Sequence, residues 1–311
     1  RSIEKVTIPF FVRKIGRFAF DCCQLKEIEF EENCRLTTID ENAFNNSSIE
    51  FISIPPTVTS IQNFAFSYCK QLKVFEFSQK SNMKSIENLI FAFDGIQRIL
   101  LPPKIEYLAS GLFNSLKFLN EIFISTSNSR FSILNGSFLI EKSKESNSSE
   151  KLICARRDIE YPIVPSSVIE ICEYSLAFST KLKSIEFGKN SNLQIIGKNA
   201  FHQSSIKKIS IPSSVNFIGN QCFSFCSKLK TIEFDEKSKL SEISSQTFAI
   251  ASIENIIVPP SVTKIGFMAF NYCNLLKSVE CLGNRLLIES ECFNGCIQLF
   301  LVSFPNASFV A

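Results

Sequence analysis

The sequence predicts an α/β repeat solenoid, and three observations support that fold class. A strand-like hexad followed by proline recurs at spacings of 46 or 47 residues, with one interval of 63. A second hexad without the proline lies midway between successive copies, so the basic unit is a coil of about 23 residues. Phenylalanine, present 32 times, also falls at one fixed place in nearly every coil. About thirteen coils fill the 311 residues.

Composition narrows the function before any motif is considered. The chain is 45% apolar and 20% charged, with a net charge of +3. Near-neutral charge disfavours a nucleic-acid partner, and no apolar run reaches the ~18 residues of a membrane span. His202 is the only histidine, which argues against most metal-dependent and histidine-dependent enzymes. We therefore expect neither a cofactor nor a bound metal.

Each coil contains the same elements in the same order. In the segment 229–234 the final apolar residues alternate with polar ones, which is typical of a half-buried strand. Where proline follows the strand, as at Pro212, it ends the pairing. Two apolar residues three apart, Val215 and Ile218, then indicate a short turn, and the segment 222–229 predicts a compact helical turn. The apolar side chains that a single coil would leave exposed are buried when the coils stack on one another.

The repeated phenylalanine predicts a continuous buried spine, in which Leu176 takes the equivalent place in one coil. Aromatic side chains bury large areas and prefer offset-stacked or edge-to-face contacts, so a column of them at strand spacing can form one core. The predicted spine residues are Phe20, Phe44, Phe66, Phe91, Phe113, Phe201, Phe223, Phe248, Phe270 and Phe293.

These repeats resemble the BspA-like (treponemal-type) leucine-rich repeats, whose core reads V-x-x-I-G-x-x-A-F-x-x-C-x-x-L. The segments 12–20, 58–69 and 262–273 carry that motif. The resemblance covers nearly the whole chain and implies a leucine-rich-repeat solenoid with parallel strands on a concave face and short helical turns on a convex face. It also implies surface or secreted proteins of bacteria and parasitic protists, and the Phe-, Ser-, Lys- and Asn-rich composition is closer to the protist members.

The interval of 63 residues indicates one modified coil, at residues 125–160. Two strand-like runs, 135–142 and 150–156, flank a polar linker, which predicts an inserted β-hairpin with its tip at 143–149. We expect the tip to be cut first by protease. One hairpin within a uniform array does not make two domains, so 1–311 is interpreted as a single solenoid domain.

Function is expected on the outward side of the strands. Glutamate recurs there in every second coil and a lysine column runs beside it, so one interpretation is a solvated face of neighbouring opposite charges. The glutamate column is interrupted at Phe123, where apolar side chains gather beside the predicted hairpin; this favours a recognition patch. Alternatively, the hairpin covers that patch as its own core. The candidate protein-binding residues are Arg98, Leu100, Glu121, Phe123, Tyr161 and Ile163.

We expect a non-enzymatic protein-binding module. The glutamates repeat without a distinctive partner at any one coil, whereas a catalytic site should break the repeat at one place. The resemblance implies a cell-surface or secreted adhesion protein whose partner is a protein, such as a host-cell or extracellular-matrix protein. An intracellular leucine-rich-repeat scaffold is the alternative, and a parallel β-helix enzyme acting on polysaccharides is a more remote one.

The twelve cysteines fit repeat positions better than metal-binding knuckles. Most lie next to the spine or three residues after it, where a thiol packs as a small apolar group. If the chain is exported, Cys273 and Cys296 lie in one column of adjacent coils and within disulfide reach; free thiols are the favoured interpretation. Because Arg1 is followed at once by the first strand, we expect membrane attachment only through segments outside this sequence.

Overall fold

The computed structural model describes residues 3–87, 89–143 and 150–305. It contains two compact units, Arg1–Lys144 and Glu145–Ala311. Within the described residues every element is a β-strand, and parallel pairing dominates both units. About thirteen parallel-strand coils confirm the solenoid, while the organisation of 1–311 as one domain stays a prediction.

Unit 1 contains two kinds of parallel strand and one hairpin. The longer strands carry the alternating hexad pattern and pair in the orders β1-β3 and β5-β7-β9-β11. The strands of unit 1 are β1 Lys5–Ile8, β2 Lys14–Ile15, β3 Glu27–Phe30, β4 Thr38–Ile39, β5 Phe51–Ile54, β6 Ser60–Ile61, β7 Val74–Phe77, β8 Ser85–Ile86, β9 Arg98–Leu100, β10 Tyr107–Leu108, β11 Glu121–Phe123, β12 Phe131–Leu134 and β13 Phe138–Lys142.

Unit 2 repeats the same construction. Its longer strands pair in the orders β15-β17-β19-β21 and β23-β25-β27. The strands of unit 2 are β14 Glu150–Ala155, β15 Ile163–Val164, β16 Val168–Ile171, β17 Ser184–Phe187, β18 Ile195–Ile196, β19 Lys208–Ile211, β20 Phe217–Ile218, β21 Thr231–Phe234, β22 Glu242–Ile243, β23 Asn255–Val258, β24 Lys264–Ile265, β25 Ser278–Cys281, β26 Leu287–Ile288 and β27 Leu301–Ser303.

The modified coil contains an antiparallel hairpin formed by β12 and β13. Its turn uses Asn135 and Gly136, both with positive φ, and the amide of Ser137 donates to the carbonyl of Leu134 at 3.1 Å. Two left-handed residues in succession are what a tight type I′ turn requires. This hairpin differs from the predicted one: the predicted run 135–142 begins with the turn and contains β13, and the predicted run 150–156 contains β14. Of the predicted tip, residues 144–149 lie outside the described part of the chain.

The predicted helical turns are wrong, because the described residues contain no helix. In a helix every amide would donate to the carbonyl four residues earlier. Here the amide of Phe223 donates instead to Thr247 of the next coil at 2.8 Å, and that of Ser224 closes a turn onto Gln221 at 3.1 Å. Positive φ at Gln221 and again at Phe225 makes this alternation possible. The segments are therefore ladders of β-turns, and we call the surface they form the turn face.

The phenylalanine spine forms as predicted in the core of unit 2 and over the first coils of unit 1. In unit 2 the rings from Phe201 to Phe293 stack in sequence with centroids 5.0–5.6 Å apart. In unit 1 the stack runs through Phe44 to Phe66, after which Phe75 of β7 inserts edge-on between Phe66 and Phe91, 5.0 and 4.9 Å from them. The spine of unit 1 is thus interrupted by a strand residue.

The backbone of the preceding coil approaches Gly219 too closely to leave room for a side chain. A Cβ on Gly219 would lie 2.5 Å from the amide nitrogen of Lys198. We expect Gly219→Ala to lower the free energy of unfolding by about 1–3 kcal/mol, because backbone must shift to admit the methyl group. Urea unfolding measures the change.

Gly16 provides the matched control, since it occupies the same repeat position yet has nothing within 4 Å of an added Cβ. Gly16→Ala should change the free energy of unfolding by less than about 0.5 kcal/mol or raise it slightly. Equal losses of unfolding free energy for the two variants would show that the close approach of the preceding coil is not the cause of the loss at Gly219.

Candidate functional site

The candidate site lies on the strand face, which is the outward side of the longer strands. In unit 1 the strands β5, β7, β9 and β11 bring two outward columns into register. These columns are Phe51, Val74, Arg98, Glu121 and Ser53, Glu76, Leu100, Phe123. Four of the six predicted residues therefore lie together on one sheet.

Arg98 is the centre of this part of the site. Its guanidinium lies 4.8 Å from the centroid of the Phe123 ring, within cation–π range. Its Nε lies 3.2 Å from Glu76 Oε1 on one neighbouring strand, and its Nη1 lies 3.5 Å from Glu121 Oε2 on the other. Because two carboxylates flank one guanidinium, the cluster of Arg98, Glu76 and Glu121 carries a net negative charge. The Phe123 ring packs against the guanidinium of this cluster.

Apolar side chains of this sheet remain accessible to solvent. Phe123 is 42% exposed and Phe51, on β5, is 50% exposed, while Leu100 is half-buried. Phe51 was not among the predicted site residues, although its register with Val74 places two apolar side chains beside the Arg98 cluster. The sequence contains this signal, because Phe51 and Val74 are consecutive apolar residues in a column that otherwise carries charge at Glu27 and Arg98.

In unit 2 the remaining two predicted residues are more exposed. Tyr161 is 65% exposed and Ile163 55% exposed. Lys183 Nζ lies 5.4 Å from the centroid of the Tyr161 ring and 2.6 Å from Glu160 Oε2. The hydrogen bond with Glu160 raises the pKa of Lys183, and the same contact lowers the pKa of Glu160. Four members of the predicted lysine column form such ion pairs across neighbouring coils: Lys26, Lys183, Lys230 and Lys277.

Similar ion pairs recur along the strand face of both units. Glu254 accepts from Lys230 and from Lys277, at 3.1 and 3.2 Å, and Lys5 pairs with Glu29 at 2.7 Å. Hydrogen bonds to the two lysines lower the pKa of Glu254. These pairs are solvent-exposed, so each contributes little to stability. Together they place charged groups of both signs along the strand face.

The two larger open cavities lie beside the longer strands, one in each unit. The cavity of unit 2, about 800 Å³, is lined by Glu186, Lys208 and Glu233, and Ser210 donates to Glu233 at 2.7 Å. The cavity of unit 1, about 1020 Å³, is lined by the equivalent Glu29 and by other residues at corresponding repeat positions. The two cavities therefore follow from the repeat and show no residue set specific to one coil.

Most of the cysteines pack in the core. All twelve are free thiols. Cys226 Sγ donates to the spine carbonyl of Phe201 at 3.0 Å, and Cys273 Sγ does the same to Phe248 at 3.0 Å. Burial raises the pKa of Cys226 to about 12, which keeps it protonated, and a protonated thiol is a poor nucleophile and metal ligand.

Neither a metal site nor a membrane span emerges from the described residues. Within 3–87, 89–143 and 150–305, no group of three or more His, Cys, Asp and Glu side chains is placed to hold a metal ion. No helix with the length and apolar character needed to cross a bilayer was found in that part of the chain. His202 lies edge-on to Phe178 and Phe225 and shares hydrogen bonds with Ser224 and Gln203.

Parallel coils of this length, a phenylalanine spine and a strand face with accessible side chains define a leucine-rich-repeat solenoid. The chain belongs to the BspA-type leucine-rich-repeat family, whose profile, described as "BspA type Leucine rich repeat region", matches residues 1–120, 37–145 and 150–277. Repeats of this class mediate protein binding. No curated protein matches the sequence.

Three solved bacterial structures have the same fold. The pneumococcal vaccine antigen PcpA superposes with a TM-score of 0.71 at 24% identity, over 98% of this chain and 69% of PcpA. A leucine-rich cell surface protein from Faecalibacterium prausnitzii gives 0.69 at 22% identity, over 97% and 79% of the two chains. A leucine-rich-repeat protein from Eubacterium ventriosum gives 0.67 at 20% identity, over 96% and 80%. At these identities the likeness establishes the fold alone.

Proposed function

We propose that this chain is a non-enzymatic module that binds a protein partner through its strand face, at a cell surface or after secretion. Family membership supports protein binding. Two of the structural neighbours are named as a vaccine antigen and as a cell surface protein, which supports the location. A host-cell or extracellular-matrix protein is the proposed partner, and a protist source stays a prediction.

The main observation behind this proposal is the exposed ring of Phe123 beside Arg98, whose positive charge is paired with Glu76 and Glu121. An apolar anchor rimmed by paired charges is the usual composition of a binding surface, with the anchor supplying affinity and the rim supplying orientation. Tyr161 and Ile163 extend the proposal to unit 2, where they are more than half exposed. The described residues leave all three side chains open to solvent, which favours docking over their use as a core for the inserted strands.

Phe123→Ser and Tyr161→Ser test the proposed surface. We expect each variant to weaken binding to immobilised extracellular-matrix proteins or to intact cells by about tenfold or more, because burying an aromatic side chain contributes about 1.5–3 kcal/mol. Surface plasmon resonance and cell-attachment assays measure the loss. The melting temperature should barely move, since neither side chain is buried.

Phe64→Ser is the matched control, because Phe64 is 41% exposed, like Phe123, but lies on the turn face. It should leave binding unchanged. The proposed surface is wrong if Phe64→Ser weakens binding as much as Phe123→Ser. An unmodified chain that binds none of these probes would contradict the proposed class of partner.

A further inference from the structure

Three consecutive turn segments of unit 2 contain no charged residue. They are 219–227, 244–252 and 266–274, and none includes Asp, Glu, Lys or Arg although 20% of the chain is charged. In unit 1, by contrast, the turn segments carry charges such as Arg17, Asp21 and Glu41. The uncharged stretch is therefore a local property of unit 2, and the repeat does not require it.

Each uncharged segment exposes an apolar side chain two residues after its spine phenylalanine. Phe225, Ile250 and Tyr272 are 44%, 42% and 52% exposed. Their amides donate in series to the next coil, Phe225 to Ala249 at 2.8 Å and Ile250 to Asn271 at 2.8 Å, so the three occupy one repeat position on a fixed ladder. We call Phe225, Ile250 and Tyr272 the turn-face ridge.

The backbone makes bulky side chains unfavourable at this position. Phe225, Ile250 and Tyr272 have φ of 58°, 61° and 54°, in the left-handed region that side chains branched at Cβ, such as that of Ile250, rarely adopt. In other coils the same repeat position holds Asn46 and Gly295, residues that tolerate this conformation, but also aromatic residues such as Phe93 and Phe178. Asn46 and Gly295 show that a coil can form without a bulky side chain here, so the backbone conformation does not require the ridge.

Two glutamine side chains beside the ridge form hydrogen bonds along the stack. Gln221 Nε2 donates to Gln246 Oε1 at 2.6 Å, and Gln246 Nε2 donates to the sulfur of Met268 at 3.7 Å. Because these amides already bond along the stack, the face can be covered by apolar atoms with little loss of hydrogen bonding. That property favours a dry protein contact over recognition of a hydroxyl-rich ligand. Charge depletion with aromatic and methionine side chains is also the composition of interface cores.

We propose that the ridge pairs with the ridge of a second copy of this chain, antiparallel about a two-fold axis at Ile250. Phe225 then packs on Tyr272 of the other copy, and Ile250 packs on its own counterpart. A second copy has the same coil spacing by construction, so all three contacts stay in register. Near a two-fold axis each residue lies next to the same residue of the other copy. A charged residue there would meet a like charge, which an uncharged face avoids.

The area available sets the strength of this contact. Aromatic side chains bury roughly 150–250 Å² each when covered, so a half-exposed triplet supplies on the order of 300 Å² of apolar surface per copy. With the flanking amides and hydroxyls the dimer would bury about 1,000 Å² in total, at the low end of specific interfaces. The expected species is a weak dimer that dissociates on dilution.

Sedimentation equilibrium between about 10 and 500 μM chain, a range suited to weak interfaces, tests the proposal. The unmodified chain should shift from monomer towards dimer across this range. Ile250→Lys should remain monomeric, because it places two like charges at the axis. Phe93→Lys is the matched control: Phe93 has φ of 58° and is 55% exposed at the same repeat position of unit 1, and its replacement should leave dimerisation unchanged.

A charge exchange distinguishes this pairing from non-specific apolar association. Phe225→Lys alone should weaken the dimer at least tenfold, and adding Tyr272→Glu should restore much of it, because the introduced ammonium of one copy then meets the introduced carboxylate of the other. Circular-dichroism melts establish that each variant is folded. The proposal is overturned by a chain that stays monomeric, by a dimer that survives Ile250→Lys, or by equal losses for Phe93→Lys. Phe123→Ser should leave dimerisation intact, so the strand-face proposal and the dimer proposal can fail independently of each other.

Discussion

Replacing Phe248 by alanine is expected to lower the free energy of unfolding by about 3–5 kcal/mol. Phe248 is fully buried, and its ring stacks between Phe223 at 5.6 Å and Phe270 at 5.3 Å. The change removes apolar area from the core and leaves a cavity between two rings fixed by their own coils, so neither can move to fill it. The midpoint of urea unfolding measures the loss.

Phe225→Ala is the matched control, because Phe225 belongs to the neighbouring coil but is 44% exposed on the turn face. It should change the free energy of unfolding by less than about 1 kcal/mol, since little buried area is lost. If both variants lose the same stability, the spine is not the principal core of unit 2, and the turn face would have to contribute to stability as much as the spine does.

The strands and the spine were predictable because each depends on a short-range pattern. Alternation over four residues places Ile232 inward and Glu233 outward whatever the rest of the coil does. A fixed position in a stacked repeat must also face the same neighbour in every coil, which predicts the spine at Phe223 and Phe248. The insertion of Phe75 into the spine could not be predicted, because in the sequence it is an ordinary inward strand residue. Its ring lies between Phe66 and Phe91 because of how the side chains pack, which the repeat pattern does not show.

The error over the helical turns has a different origin. Compact segments such as 222–229 have the composition of a helical turn, and sequence patterns do not show the sign of φ. Positive φ falls on residues that rarely adopt it, such as Phe225 and Ile250, so no residue type marked the change. The same feature concealed the turn-face ridge, since an aromatic residue two places after the spine resembles further core.

The candidate site was only partly predictable. The interruption of the glutamate column at Phe123 is visible in the sequence, and so is the position of Leu100 beside it. The contact of Arg98 with Phe123 depends on side-chain conformation, because the same guanidinium also reaches Glu76 and Glu121 on both neighbouring strands. Which of these contacts forms is decided by packing across three strands, and a periodic pattern in the sequence carries no information on it.

Asp94 predicts that this protein becomes less stable as the pH rises through neutrality. It occupies the repeat position held elsewhere by Cys69 and Cys226, is 3% exposed, and accepts from the amides of Cys69 and Ala92 at 2.8 and 3.0 Å. Burial raises the pKa of Asp94 to about 8 from its ordinary 3.8, despite those hydrogen bonds. The folded chain therefore keeps a proton that the unfolded chain releases above about pH 4.

The stabilisation from that proton is complete below about pH 4 and is lost as the pH rises towards 8. Between pH 5.5 and 8.5 the free energy of unfolding should fall by about 3 kcal/mol, since each pH unit below the folded pKa costs about 1.4 kcal/mol. Asp94→Ser isolates the effect, because Ser204 occupies the same repeat position and other titrating groups cancel in the comparison. The difference between Asp94 and the serine variant in urea unfolding should shrink or change sign as the pH rises. A difference that is constant from pH 5.5 to 8.5 would mean that Asp94 is already ionised in the folded chain, held by its two amide hydrogen bonds against the cost of burial.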